Sequence, residues 1–147
     1  PTGIHRATLG QAIEGTDLGA LIERANALAA KLRTDWEDIL ERHGIAGYVY
    51  GPCSTFHVYF ETNSERVNGA STRQDLYTKD AKRLKGMPGD LVNEYQRHLR
   101  FYGVDNMSST GGVLSSAHTE EDLSIANDVF EKTVVALRDL GFVLSMS

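Results

Sequence analysis

Two long stretches of the chain repeat apolar residues every three or four positions. Leu18, Leu21, Ile22, Ala25, Leu28, Ala29, Leu32, Trp36, Ile39 and Leu40 form one wide stripe, which predicts an amphipathic helix from about Asp17 to His43. Thr16 can cap its start, and Gly44 can end it in a left-handed turn. Leu123, Ala126, Val129, Phe130, Thr133, Val134, Leu137 and Leu140 mark a second such helix over about Glu120–Leu140, closed by Gly141. Thr119 suits its N-cap, and Glu120, Glu121 and Asp122 place negative charge in its first turn. A third helix is predicted over about Asp90–Tyr102, with Leu91, Tyr95, Leu99 and Tyr102 on one side and Gly103 as its stop.

Between these lie shorter patterns. Tyr48-Val49-Tyr50 and Thr55–Phe60 are rich in aromatic and β-branched residues and flank Gly51-Pro52, so they predict two neighbouring strands in a hairpin. If Phe56, Val58 and Phe60 face the core, His57 and Tyr59 face the other way. Val113–Ser116 predicts a short third strand after a turn region at 104–112. The polar run Glu61–Thr72 reads as a loop. Short helical material is expected over Thr78–Leu84, broken by Gly86-Met87-Pro88-Gly89, and over Ala7–Glu14 in the weakly patterned opening. The order helix, two strands, helix, strand, helix implies a single α+β domain over 1–147. Its sheet should be small and mostly antiparallel, about three strands, with the long helices packed on one face.

Composition narrows the function classes. At 147 residues with 41% hydrophobic and 24% charged, the chain is long enough to bury a real core. A net charge of −5 and the lack of a basic cluster with interleaved aromatics argue against nucleic acid or an anionic membrane surface as partner. No stretch approaches the roughly 20 apolar residues that span a bilayer. The single Cys53 excludes an intrachain disulfide and a multi-cysteine metal site, and suits a reducing, cytoplasmic compartment. The chain begins at Pro1 and not at Met, which fits a trimmed initiator Met or a fragment or processed form of a longer protein.

Candidate chemistry is sparse. His5, His43 and His98 are isolated, and no His/Asp/Glu cluster has metal-ligand spacing. Cys53 has no evident His partner and reads as an inert small residue. Ser108, Ser109, Ser115 and Ser116 lack a G-x-S-x-G elbow. The plainer role for His118 is to bond backbone at a strand-to-helix corner, and for His57 to sit at a surface or domain interface. Lys31 and Lys132 fall on polar helix faces, and Lys79, Lys82 and Lys85 sit in a charged, breaker-flanked run. None has the apolar surroundings that lower an amine pKa for imine chemistry. Gly111-Gly112 is too short for a phosphate loop.

The run G-V-D-N-M-S-S-T-G-G-V-L-S-S-A-H-T-E-E-D, residues 103–122, nevertheless resembles the last strand and helix start of class III pyridoxal-phosphate aminotransferases. Residues 51–60 are similar to that family's G-S-x-F-x-x-x-F strand. Within the family, S-A-H-T-E-E-D is most like glutamate-1-semialdehyde aminomutase. The resemblance implies that the chain is a C-terminal small domain beside a large domain that holds the cofactor, as in fold-type I enzymes. The parent would be a homodimer acting on a small amino-acid-like substrate. The Lys that carries pyridoxal phosphate, the Asp for its ring nitrogen and the phosphate cradle would all lie on that large domain. This chain alone would then neither bind pyridoxal phosphate nor transaminate. It would shape the substrate side of the pocket, with Ser109, Thr110 and Gly111 nearest the substrate.

Many relatives place an Arg just before the position of Val113 to grip a carboxylate; here Thr110-Gly111-Gly112 stand there. The aminomutase branch carries an acidic residue where Thr110 stands. Arg100 could reach the area but reads as a solvated helix-face residue. The alternative is a stand-alone binding or interaction module that kept the small-domain fold without catalysis.

Overall fold

Helix α1 starts where a carboxylate stands immediately ahead of the apolar stripe. In the computed structural model, which describes residues 17–106 and 109–146, α1 spans Leu18–Arg42. Asp17 is its N-cap, its carboxylate accepting from the Ala20 amide at 3.0 Å. The cap therefore falls one residue later than the predicted Thr16. Thr16 itself, with His5, Ser108 and the helix expected over Ala7–Glu14, lies outside the described residues. The stripe is buried only from Leu28 onward, through Leu32, Trp36, Ile39 and Leu40; Leu18 and Ile22 in the first turns stay half exposed.

The predicted hairpin forms. Strands β1 (Gly47–Tyr50) and β2 (Thr55–Phe60) pair antiparallel, with Tyr48 opposite Tyr59, Val49 opposite Val58 and Tyr50 opposite His57. The Pro52 carbonyl closes the turn by accepting from the Thr55 amide at 3.0 Å and its hydroxyl at 2.6 Å. The third strand, β3 (Gly111–Val113), pairs antiparallel with β2 and makes a three-stranded sheet in the order β1-β2-β3. It begins two residues before the predicted Val113 and ends at it. The reason is steric: the two glycines lie under the side chains of β2, as described below, and only they fit the ladder there.

The polar run after β2 is more ordered than its pattern predicts. It holds α2 (Ser64–Gly69), a 3₁₀ turn at Arg73–Leu76 and α3 (Ala81–Lys85), the last in place of the helix expected over Thr78–Leu84. Each is fixed at its start by a side chain that accepts from backbone amides there. Asn63 accepts from the Glu65 and Arg66 amides, Asp75 from those of Ser71 and Thr72, and Asp80 from that of Lys82.

Helix α4 (Gly89–Phe101) and α5 (Glu120–Asp139) complete the fold. Gly44, Gly103 and Gly141, the predicted stops, follow α1, α4 and α5 with positive φ. The three long helices pack on one face of the sheet, against Val49, Phe56, Val58 and Phe60. Trp36 of α1 stacks on Phe130 of α5 at 4.0 Å and meets Phe56 edge-on at 5.2 Å, so one indole joins both helices to the sheet. No helix of the described residues is long and apolar enough to cross a membrane.

Candidate functional site

The segment singled out by its sequence folds into two parts, a glycine ribbon and a capped corner. The ribbon begins at Ser109, which is exposed, has φ of +37° and holds its place through its carbonyl, accepting from Gln96 Nε2 at 2.7 Å. Thr110 next to it is buried at 4% exposure. Its hydroxyl donates to the Val58 carbonyl at 2.6 Å and its carbonyl accepts from the Val58 amide at 3.1 Å, so its polar atoms extend the β2–β3 ladder.

A Cβ on Gly111 would overlap the His57 imidazole, and one on Gly112 would sit 2.9 Å from the Phe56 ring. The glycine pair is thus a close-approach ribbon: His57 lies across it on one face of the sheet and Phe56 on the other. His57 is half-buried and stacks on Tyr50 at 5.3 Å.

The corner runs from Leu114 to Thr119. His118 Nδ1 accepts from the Ser115 amide at 2.9 Å, which is the backbone role predicted for it. Arg24 of α1 donates to the Ser116 carbonyl at 3.0 Å and the His118 carbonyl at 3.4 Å. Thr119 and Asp122 then form a capping box, each side chain bonding the other's amide at 3.1 and 2.8 Å. The Thr119 amide and hydroxyl hold the Asp122 carboxyl below its ordinary pKa. Local helix-start chemistry thus accounts for Asp122 in the acidic triplet.

The other sequence candidates stay apart from this ribbon. Arg100 pairs with Asp105 at 2.8 Å on the surface. Cys53 is exposed in the hairpin turn. His43 bonds Glu131 at 2.8 Å, and His98 bonds the Glu94 carbonyl at 2.8 Å within its own helix. Among the described residues no three His, Cys, Asp or Glu gather as metal ligands.

All five lysines are exposed. Lys31 is bonded to Asp35, which raises its pKa, and Lys132 lies over the Tyr102 ring. Imine chemistry needs a buried amine with a lowered pKa, so the residues of this chain do not fit a pyridoxal-phosphate seat.

Sequence reasoning missed the polar network on the sheet's second face. Glu61, 1% exposed, accepts from Arg83 Nε at 3.0 Å, from Arg83 Nη2, from the Tyr59 hydroxyl at 3.0 Å and from the Asn63 amide at 3.0 Å. Burial alone would raise its pKa, but the Asn63 amide, Arg83 and Tyr59 together hold it below the ordinary value. Beside it, Arg73 bridges Glu37 at 2.7 Å and Glu41 at 2.8 Å and donates to the Gly47 carbonyl at 2.9 Å. Glu37 in turn accepts from the Tyr77 hydroxyl at 3.0 Å, and burial plus that charge push the Tyr77 pKa up to about 12. One signal could have found part of this. Glu61 continues the alternation of His57 and Tyr59, which placed it on the sheet's second face beside an aromatic and not in solvent.

No family model and no curated protein matches the chain, but solved structures do. The chain is similar to an ω-transaminase from Sphaerobacter thermophilus, with 21% identity, a TM-score of 0.58, and coverage of 80% of this chain and 24% of that one. It is similar to a β-phenylalanine aminotransferase from Variovorax paradoxus at 18% identity and a TM-score of 0.64, covering 87% and 25%. The same holds for the FumI protein of Sphingopyxis sp. MTA144 in its PLP internal aldimine form, at 18% identity and a TM-score of 0.61, covering 92% and 27%. The fold is one that transaminases carry. At these identities the likeness is one of fold, and the chain spans about a quarter of the length of each structure.

Proposed function

We propose that this chain is the small domain of a class III, pyridoxal-phosphate-dependent aminotransferase, and that it works against a large domain that supplies the cofactor. The observation that carries this reading is a ratio: the fold match takes up 80–92% of this chain but only 24–27% of the matched structures. The resemblance of the S-A-H-T-E-E-D corner to that family supports it, and on this reading the parent is of the glutamate-1-semialdehyde aminomutase type. In that setting the parent is a cytoplasmic homodimer acting on a small amino-acid-like substrate.

The chain's own part is to shape the pocket. When bound to the parent's large domain, the cofactor supplies the electron sink for amino-group chemistry. The ribbon at Ser109, Thr110 and Gly111 faces the substrate. Thr110 anchors it through the Val58 carbonyl, Gly111 leaves room beside His57, and Ser109 offers the exposed hydroxyl. With no Arg in the ribbon, the substrate carboxylate is held by groups outside it.

The test is to purify the full-length protein that contains this segment. It should release pyridoxal phosphate on denaturation and convert amino-acid substrates, and Ser109→Trp should raise KM at least tenfold while the cofactor stays bound. A full-length protein free of pyridoxal phosphate overturns the enzyme reading; an unchanged KM overturns the placement of the ribbon.

A further inference from the structure

Three of the histidines among the described residues are bonded within the chain. His43 bonds Glu131, His98 the Glu94 carbonyl and His118 the Ser115 amide, while His57 has no hydrogen-bond partner among the described residues. Its ring is nevertheless fixed by both cross-strand neighbours. It stacks on Tyr50 of β1, with 27° between the planes, and it lies over Gly111 of β3, where a Cβ would overlap it. Nδ1 and Cε1 are its atoms nearest that point, so Nε2 is the ring nitrogen farther from the ribbon. An imidazole always carries at least one N–H donor. Here that donor is half-buried and oriented, and the chain supplies no acceptor for it.

The surroundings favour an acceptor with negative charge. The carboxylates that serve this face, Glu61 and Glu37, are each bound to an arginine. The ribbon holds no Lys or Arg, and the Thr110 hydroxyl is already given to the Val58 carbonyl. A hydrogen bond to an ionised acceptor is roughly twice as strong as one to a neutral carbonyl. A metal ion is not favoured, since among the described residues no carboxylate or second histidine gathers with His57.

We propose that His57 is a specificity residue of the substrate pocket, its N–H holding the carboxylate of the amino-acid substrate. The ribbon, lacking an Arg, leaves that role open. The assignment of a substrate rests on the small-domain reading above; the contact between His57 and a carboxylate does not.

The test titrates the full-length protein containing this segment, by calorimetry, with pentanoate and pentanamide. Neither carries an amine that could react with a cofactor, and they differ only in the charged group. Pentanoate should bind saturably and more tightly than pentanamide. His57→Leu should weaken pentanoate about tenfold, the worth of a hydrogen bond to a charged group, and pentanamide only about twofold. His57→Gln keeps an N–H donor and should recover part of the loss; if His57→Leu does not fold, His57→Gln should still weaken pentanoate more than pentanamide. No saturable pentanoate binding, a pentanoate affinity indifferent to position 57, or an equal loss for both probes would each overturn the proposal. A protein free of pyridoxal phosphate that still binds pentanoate through His57 would sink the enzyme reading and leave this contact standing. A loaded protein whose pentanoate affinity ignores His57 would do the reverse.

Discussion

The two faces of the sheet bury their side chains by different means. The face under α1, α4 and α5 is closed by interlocked rings and aliphatic groups: Trp36, Phe56, Phe60, Tyr95 and Phe130 with Val58 between them. Among the described residues, the other face has no long helix over it. It is closed by tyrosines laid under short capped turns, with Glu61–Arg83 and Glu37–Arg73 pinned across them. The first arrangement gains from non-directional apolar burial. The second depends on every lone pair and N–H finding its partner, because a buried charge left alone is costly. It also protects the exposed edge of β1, where Glu37 takes the Val49 amide and Arg73 the Gly47 carbonyl.

This difference sets the expected response to mutation. On the apolar face, Phe130→Ala removes the ring stacked on Trp36 and should cost about 4 kcal/mol in urea unfolding. On the polar face, Arg83→Met leaves buried Glu61 with only the half-exposed Arg66, at 3.7 Å, as its cation and should cost about 3 kcal/mol. The contrast lies in the repair. Adding Glu61→Leu to Arg83→Met should restore most of the loss, whereas no second change should rescue Phe130→Ala so fully; an Arg83→Met defect that Glu61→Leu deepens would remove the distinction.

At β3, where the faces meet, Gly112→Ala pushes a methyl into the Phe56 ring and should cost roughly 2 kcal/mol by overpacking. The smallest effect is on pH dependence. The folded pKa of Glu61 lies below its unfolded value, so the unfolded chain binds the proton more readily. Its contribution is therefore present above about pH 4.5, the ordinary carboxylate value, and fades as pH falls through the folded pKa. The stability gap between the native chain and Glu61→Gln should be constant near neutrality and narrow below pH 4.5, as read from urea midpoints across the acid limb.

Much of the apolar face was legible in the sequence and little of the polar one. Helices α1, α4 and α5 announce themselves by periodicity, and the hairpin by alternation, because burial on one side is what creates those patterns. Helices α2 and α3 are too short for a period to show, and they are nucleated by Asn63 and Asp80, single side chains that also suit a loop. Arg83 and Glu61 stand 22 positions apart. In a charged run, nothing local distinguishes a cation destined for a buried partner from one left in water.

Around the ribbon, the His118 and Thr119 roles followed from local rules. The burial of Thr110 did not, since it rests on its bond to Val58, 52 positions away.

Half-exposed Leu18 and Ile22 show that α1 extends beyond the mass it packs on, and Arg24 fastens that overhang to the carbonyls of Ser116 and His118. The helix is therefore a lever whose free arm is tied at the corner that leads out of the glycine ribbon. A force applied to the start of α1, by whatever precedes it or docks on it, is carried through one guanidinium to the backbone around Ser116. Those two carbonyls are where a displacement of the helix start would be felt first.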